Sequence, residues 1–122
     1  MITILLVDDS PTVRVMVSEL LRSKGINVIE AGDGIEAMEK MQVQCPDLVI
    51  TDIVMPRMNG YELCRWIKTQ FKDKYIPVIM CTSKDQQFDH YWGIKQGADA
   101  YITKPFEPVD LIRAIKKLLV RN

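Results

Sequence analysis

The 122-residue chain is poor in the residues that staple small folds together, with three cysteines (Cys45, Cys64 and Cys81) and one histidine, His90. An odd number of thiols without C-x-x-C spacing argues against a disulfide framework and a cysteine zinc site, and points to a reducing compartment. Charge of one sign is also missing, because sixteen Lys plus Arg balance sixteen Asp plus Glu. No global field therefore draws the chain to nucleic acid or to an anionic membrane. Long hydrophobic runs are lacking too. The opening stretch from Ile2 to Val7 is cut by Asp8-Asp9 and has no basic flank, far short of the ~18 residues of a membrane span. The expectation is a cytoplasmic protein without membrane insertion or a targeting segment.

What remains is ordinary globular composition, 48% apolar and 26% charged, without a Pro/Gly/Ser linker or low-complexity tract. Length and continuity predict one domain over residues 1–122, with no appended catalytic or DNA-binding module. Short β-branched runs alternate with amphipathic stretches along the whole chain. Strands are predicted at Thr3–Val7, Asn27–Glu30, Leu48–Thr51, Val78–Cys81 and Ala100–Thr103, the second being the least distinct. Most are unbroken apolar runs, as expected of parallel strands covered on both faces.

The first helix, Pro11–Lys24, is the best punctuated, with Ser10 as N-cap, Pro11 at its first position and Gly25 just past its end. Its inward stripe is Val13, Val17, Leu20 and Leu21. A second helix is predicted at Gly34–Gln44 (Ile35, Met38, Met41) and a third at Gly60–Phe71 (Leu63, Cys64, Ile67, Phe71). The fourth, Gln86–Gln96, is the most polar, and places His90 toward solvent and Trp92 in packing. The fifth, Pro108–Val120, carries Leu111, Ile112, Ile115, Leu118 and Leu119 at helical spacing. Five βα units joined by right-handed crossovers predict a flavodoxin-like doubly wound α/β fold: a five-stranded parallel sheet of order 2-1-3-4-5 with helices on both faces.

Such folds bind ligands at the carboxyl ends of their strands. This sequence places Asp8-Asp9, Asp52, Thr82-Ser83 and Thr103-Lys104-Pro105 there. Each alone has an ordinary reading as a helix cap or turn residue, but four strand ends delivering polar groups to one edge is harder to dismiss. Like charges 4 Å apart cost about 4 kcal/mol at an effective dielectric of 20, so a cluster of three carboxylates needs an offset. An all-oxygen donor set suits Mg²⁺, and the Lys104 ammonium can neutralise another part. Asp52, set apart from the adjacent pair, stands where a carboxylate nucleophile could attack a phosphoryl group.

Asp8-Asp9, Asp52 with the following Ile53-Val54-Met55-Pro56-Arg57-Met58-Asn59-Gly60, Thr82-Ser83 and Tyr101-Ile102-Thr103-Lys104-Pro105-Phe106 together resemble the signature of two-component response-regulator receiver domains. The resemblance implies that Asp52 accepts the phosphoryl group. Asp8, Asp9, Asp52 and the main-chain carbonyl of Val54 would hold Mg²⁺, and Lys104 would contact the phosphoryl oxygens. Thr82 would be the switch hydroxyl and Tyr101 the aromatic that follows it, with a Lys104-Pro105 bond that is often cis in the family. Val54 and Lys84 stand where the family tunes the lifetime of its acyl phosphate. Thr82-Ser83-Lys84-Asp85-Gln86, Trp92-Gly93 and Gln96-Gly97-Ala98 resemble a narrower group, the single-domain regulators of chemotaxis-like pathways that control pilus-driven twitching or phototaxis.

The implied partners are a sensor histidine kinase and a downstream protein read by the fourth helix, fifth strand and fifth helix, with a monomer or weak dimer as the assembly. Catalysis would be confined to self-directed phosphotransfer and autodephosphorylation, with no covalent output domain. Two rivals remain at this level. A small flavodoxin-like enzyme would need a phosphate loop after the first strand, or Asp-x-Asp where the chain has Asp52-Ile53-Val54. A structural adaptor that never takes phosphate would not need the intact acidic set.

Overall fold

The computed structural model describes residues 1–83 and 97–120, apart from the side chain of Thr82. The helix expected at Gln86–Gln96, with His90 and Trp92, lies outside the described residues, as do Lys84 and Arg121.

Five strands, β1 (Thr3–Val7), β2 (Asn27–Ala31), β3 (Leu48–Asp52), β4 (Val78–Ser83) and β5 (Ala100–Lys104), form one sheet of order β2-β1-β3-β4-β5. All four pairings are parallel. The described helices are α1 (Pro11–Ser23), α2 (Gly34–Val43), α3 (Gly60–Gln70) and a C-terminal helix, Pro108–Leu119.

Successive strand residues point to opposite faces, and here both faces are dry. Leu5, Val7, Val49, Val78 and Met80 pack with Ala37 and Met41 of α2 and with Leu63, Cys64 and Ile67 of α3. Ile4, Leu6, Ile50, Ile79 and Ile102 pack on the other side with Val17 and Leu21 of α1 and with Leu111, Ile115 and Leu118 of the C-terminal helix. Burying each such side chain contributes about 1.5–3 kcal/mol. These two layers carry the stability, which leaves the polar rim of the sheet free to be electrostatically strained.

The helix starts are set as the sequence implied. Ser10 caps α1 with its Oγ accepting from the Val13 amide at 3.3 Å, and Gly25, just past the helix, takes φ +79°. At α3, Asn59 and Glu62 form a reciprocal capping box. Gly60 follows because the helix begins against the end of β3, where a Cβ would stand 2.3 Å from the Asp52 carbonyl oxygen.

Two details differ from the sequence reading. The helices end one residue earlier, and β2 to β5 run one or two residues further, so Asp52, Thr82-Ser83 and Lys104 lie within the strands. Polar residues end the apolar run, but the backbone ladder does not need apolar side chains to continue. In α2, Ala37 rather than Ile35 is fully buried beside Met41, because the small side chain lets the helix sit close to the sheet.

Candidate functional site

The acidic rim is built from backbone upward. β1 delivers Asp8 and Asp9 immediately after Val7, β3 ends on Asp52, and the adjacency of the two strands brings these residues together through the pairing of Val7 with Thr51. One carboxylate oxygen from each of Asp8, Asp9 and Asp52 lies within 4.8 Å of the others. Asp8 is buried at 3% exposure, whereas Asp9 is open to solvent. Lys104, the last residue of β5, crosses to this cluster, with Nζ 2.9 Å from Asp8 Oδ2 and 3.5 Å from Asp52 Oδ2. Its bond to Pro105 is cis, as the resemblance implied.

Local amides fix the remaining oxygens. Asp8 Oδ1 accepts from the Ser10 N–H at 2.9 Å, and Asp52 Oδ1 from the Ile53 N–H at 2.9 Å. Burial pushes the Asp52 carboxyl up, the Asp8 charge adds to the rise, and Lys104 opposes both. Burial acts to lower the Lys104 ammonium, but its hydrogen bond to Asp8 and the Asp52 charge outweigh that and leave it raised. Asp52 is therefore a carboxylate that its own surroundings do not fully compensate.

The donor set fits a small hard cation. Oxygens about 2.1 Å from a common centre are at most ~4.2 Å apart, so a spread of 4.8 Å needs only a slight contraction or a bridging water. No His or Cys joins the cluster among the described residues, which suits Mg²⁺ chemistry rather than zinc.

Of the other residues singled out by sequence, Thr82 pairs through its backbone with Thr103 at the same rim, its side chain lying outside the described part. Tyr101 is half-buried in β5 and packs against the layer shared with α3. Val54, directly after β3, is exposed. Cys64 and Cys81 are buried thiols, pushed by burial to about 11 and about 12 respectively, so neither is a nucleophile at neutral pH. Cys45 is partly buried beside Pro46.

Several supporting residues escaped the sequence reading. Arg14 of α1 donates from Nη1 to the Asp8 carbonyl and lies 3.5 Å from Glu30. Asp33 caps α2 and is gripped by Arg57, while Glu36 Oε1 accepts from the Gly32 amide at 2.6 Å. These amide bonds, ahead of other causes, hold the Asp33 and Glu36 carboxyls below their ordinary values. The Asp-x-x-Glu spacing was a signal for the cap. Nothing in the sequence announced the Arg57 contact.

The ligand edge of this doubly wound sheet carries carboxylates and an amine, with Asp8-Asp9-Ser10-Pro11 where dinucleotide binders have a glycine-rich loop. The chain belongs to the response regulator receiver domain family, whose sequence profile matches residues 4–116. It is 42% identical to protein PilG of Pseudomonas aeruginosa over 113 residues, covering 93% of this chain and 84% of PilG. It is 37% identical over 119 residues to PhoP of Bacillus subtilis, an alkaline phosphatase synthesis transcriptional regulatory protein, covering 98% of this chain. The chain spans only about half of PhoP, 49% of its length. The solved chemotaxis response regulator CheY4 of Vibrio cholerae superposes with a TM-score of 0.90 at 35% identity, covering 98% of this chain and 99% of CheY4.

Proposed function

We propose that this receiver accepts a phosphoryl group on Asp52 from a phosphohistidine of a sensor histidine kinase, or from a small donor such as acetyl phosphate. The observation that carries this reading is the convergence of Asp8, Asp9 and Asp52 with Lys104 bridging two of them. In the transfer the donor N–P bond breaks as an O–P bond forms at an Asp52 carboxylate oxygen, and the imidazole leaves with the electron pair. The Ile53 amide on Oδ1 orients the carboxylate, with Oδ2 toward Lys104. Lys104 faces the incoming phosphoryl oxygens and offsets their charge. Asp8, Asp9, Asp52 and the Val54 carbonyl would hold Mg²⁺, which when bound supplies positive charge to those oxygens. Attack of water on phosphorus later frees phosphate and returns the carboxylate.

The switch would run through Thr82 and Tyr101 to the surface formed by the fourth helix, β5 and the C-terminal helix. A groove of about 470 Å³, lined by Tyr101, Phe106, Asp110, Arg113 and Lys117 among others, supports this face as the one a downstream protein reads. The likeness to PilG and CheY4 supports chemotaxis-like or pilus-motility signalling. No described helix is long and apolar enough to cross a membrane, and a cytoplasmic location is part of this reading.

Acetyl phosphate and Mg²⁺ should add about 80 Da to the protein, seen by mass spectrometry, and Asp52→Asn should abolish the gain. No labelling of the parent, or undiminished labelling of Asp52→Asn, overturns the assignment.

A further inference from the structure

The segment that leads from Asp52 to α3 carries Val54 and then turns sharply. Met58 N–H donates to the Pro56 carbonyl at 2.7 Å, spanning Arg57, whose φ is 68°. A three-residue turn with positive φ at its centre is strained for a residue with a side chain, and glycine or asparagine is its usual occupant. Arg57 offers no local backbone preference for it. Its side chain supplies the restraint instead.

The guanidinium spans 24 residues of sequence to Asp33, with Nε donating at 2.9 Å and Nη2 at 2.7 Å to Oδ2, and Nη2 also 2.9 Å from Oδ1. Asp33 is itself tethered, because its Oδ1 accepts from the Glu36 amide at 2.8 Å as the cap of α2. Beside this pair the Met58 side chain lies over Gly34, where a Cβ would come within 2.8 Å of it. Consecutive residues of the turn are thus fastened to the first turn of α2. An ordinary exposed ion pair contributes little, but a planar fork on a fixed carboxylate orders a loop at small entropic cost.

We infer that Arg57 is a positioning residue: its fork on Asp33 holds the segment after Asp52 against the start of α2 and so restrains the backbone of Val54, whose carbonyl would join the carboxylate trio in holding a cation. This rests on the reading of that trio as a divalent-cation site. It also makes the amino end of α2 a part of the site's support, although none of its residues reaches the reacting groups.

Three variants separate the contributions. Arg57→Lys keeps the charge and loses the fork, Arg57→Gly relieves the positive φ and removes the anchor, and Asp33→Asn keeps a capping oxygen but weakens the pair. Hydrogen exchange of the Ile53, Val54, Met55, Arg57 and Met58 amides in metal-free protein, Mg²⁺ titration calorimetry and urea unfolding are the readouts. The amides should exchange faster by about tenfold in Arg57→Gly and severalfold in Arg57→Lys and Asp33→Asn. Mg²⁺ affinity should fall by about threefold to tenfold in Arg57→Gly, with the urea midpoint nearly unchanged. If Arg57→Gly exchanges no faster and binds Mg²⁺ as tightly as the parent, strain relief dominates and the positioning role is wrong. A parent that binds no Mg²⁺ sinks the cation-site reading instead, and the exchange comparison still decides whether Arg57 holds the loop.

Discussion

The two ends of the sheet use the same side chain in opposite ways. At the amino ends of the strands, Asp47 Oδ2 accepts from the Thr3 amide at 2.8 Å, and Asp99 Oδ2 accepts from the Val78 amide at 2.8 Å and from Lys68 Nζ at 2.7 Å. At the carboxyl ends, Asp8, Asp9 and Asp52 face one another, and a single lysine, Lys104, pairs with Asp8 and Asp52. A parallel sheet presents N–H groups at one end and carbonyls at the other, so the strands' own first amides meet a carboxylate at the first end, whereas at the second Asp8 and Asp52 each find one amide just past the strand and leave the other oxygen to Lys104. The difference separates a structural acid from a chemical one. An aspartate tied to a strand's first amide is satisfied within the fold, whereas one at the far end needs a cation from elsewhere.

The largest effect that tests this contrast is expected at Asp99. Asp99→Ala removes the partner of the Val78 amide and of Lys68 together, and Lys68 keeps the Ile76 carbonyl at 3.0 Å and the Tyr75 ring 5.7 Å away. Loss of a charge-assisted pair and an amide acceptor in a half-buried setting should cost about 2–3 kcal/mol, read from urea unfolding. Asp99→Asn, which retains an acceptor, should cost less. If both are neutral, the amino-end acids are not structural anchors.

Replacing Asp52 should have the opposite sign. Burial raises the Asp52 carboxyl in the folded state, so between its unfolded and folded pKa values the fold holds the extra proton and stability falls as pH rises. Above that window the charged form burdens the fold. Asp52→Asn removes the burden and, without divalent ions, should stabilise the protein at pH 7 by on the order of 1 kcal/mol. The gain should vanish below about pH 4, where the parent carboxyl is also neutral, and should shrink when Mg²⁺ is added. A metal-free parent as stable as Asp52→Asn at neutral pH would remove the argument that this end is uncompensated.

The same contrast explains what could be read from the sequence. The strands were legible because both faces are buried, making Ile4 to Val7 and Leu48 to Ile50 continuous apolar runs. The site was legible because its members, Asp8, Asp9, Asp52 and Lys104, each interrupt or end such a run, and topology alone brings those positions to one edge. Arg14 and the Arg57–Asp33 pair were not legible, because side-chain reach and a positive φ at a non-glycine residue decide them rather than periodicity. The burial of Ala37 in place of Ile35 depends on the rotation of α2 on the sheet, which a short stripe of apolar residues does not determine.

The smallest expected effect belongs to Asp47, which sharpens the comparison by being exposed. Its carboxylate holds the Thr3 amide, and its own amide donates back to the Thr3 carbonyl at 2.8 Å. The backbone half of this exchange survives Asp47→Ala, and water can reach the freed Thr3 amide, so the loss should be about 0.5–1 kcal/mol. Because the residue sits at the end of β1 opposite Asp8, Mg²⁺ affinity and the rate of labelling by acetyl phosphate should not change. A shift in either, with stability only slightly lowered, would mean that β1 transmits strain from one end of the sheet to the other, and the two ends could no longer be treated as independent.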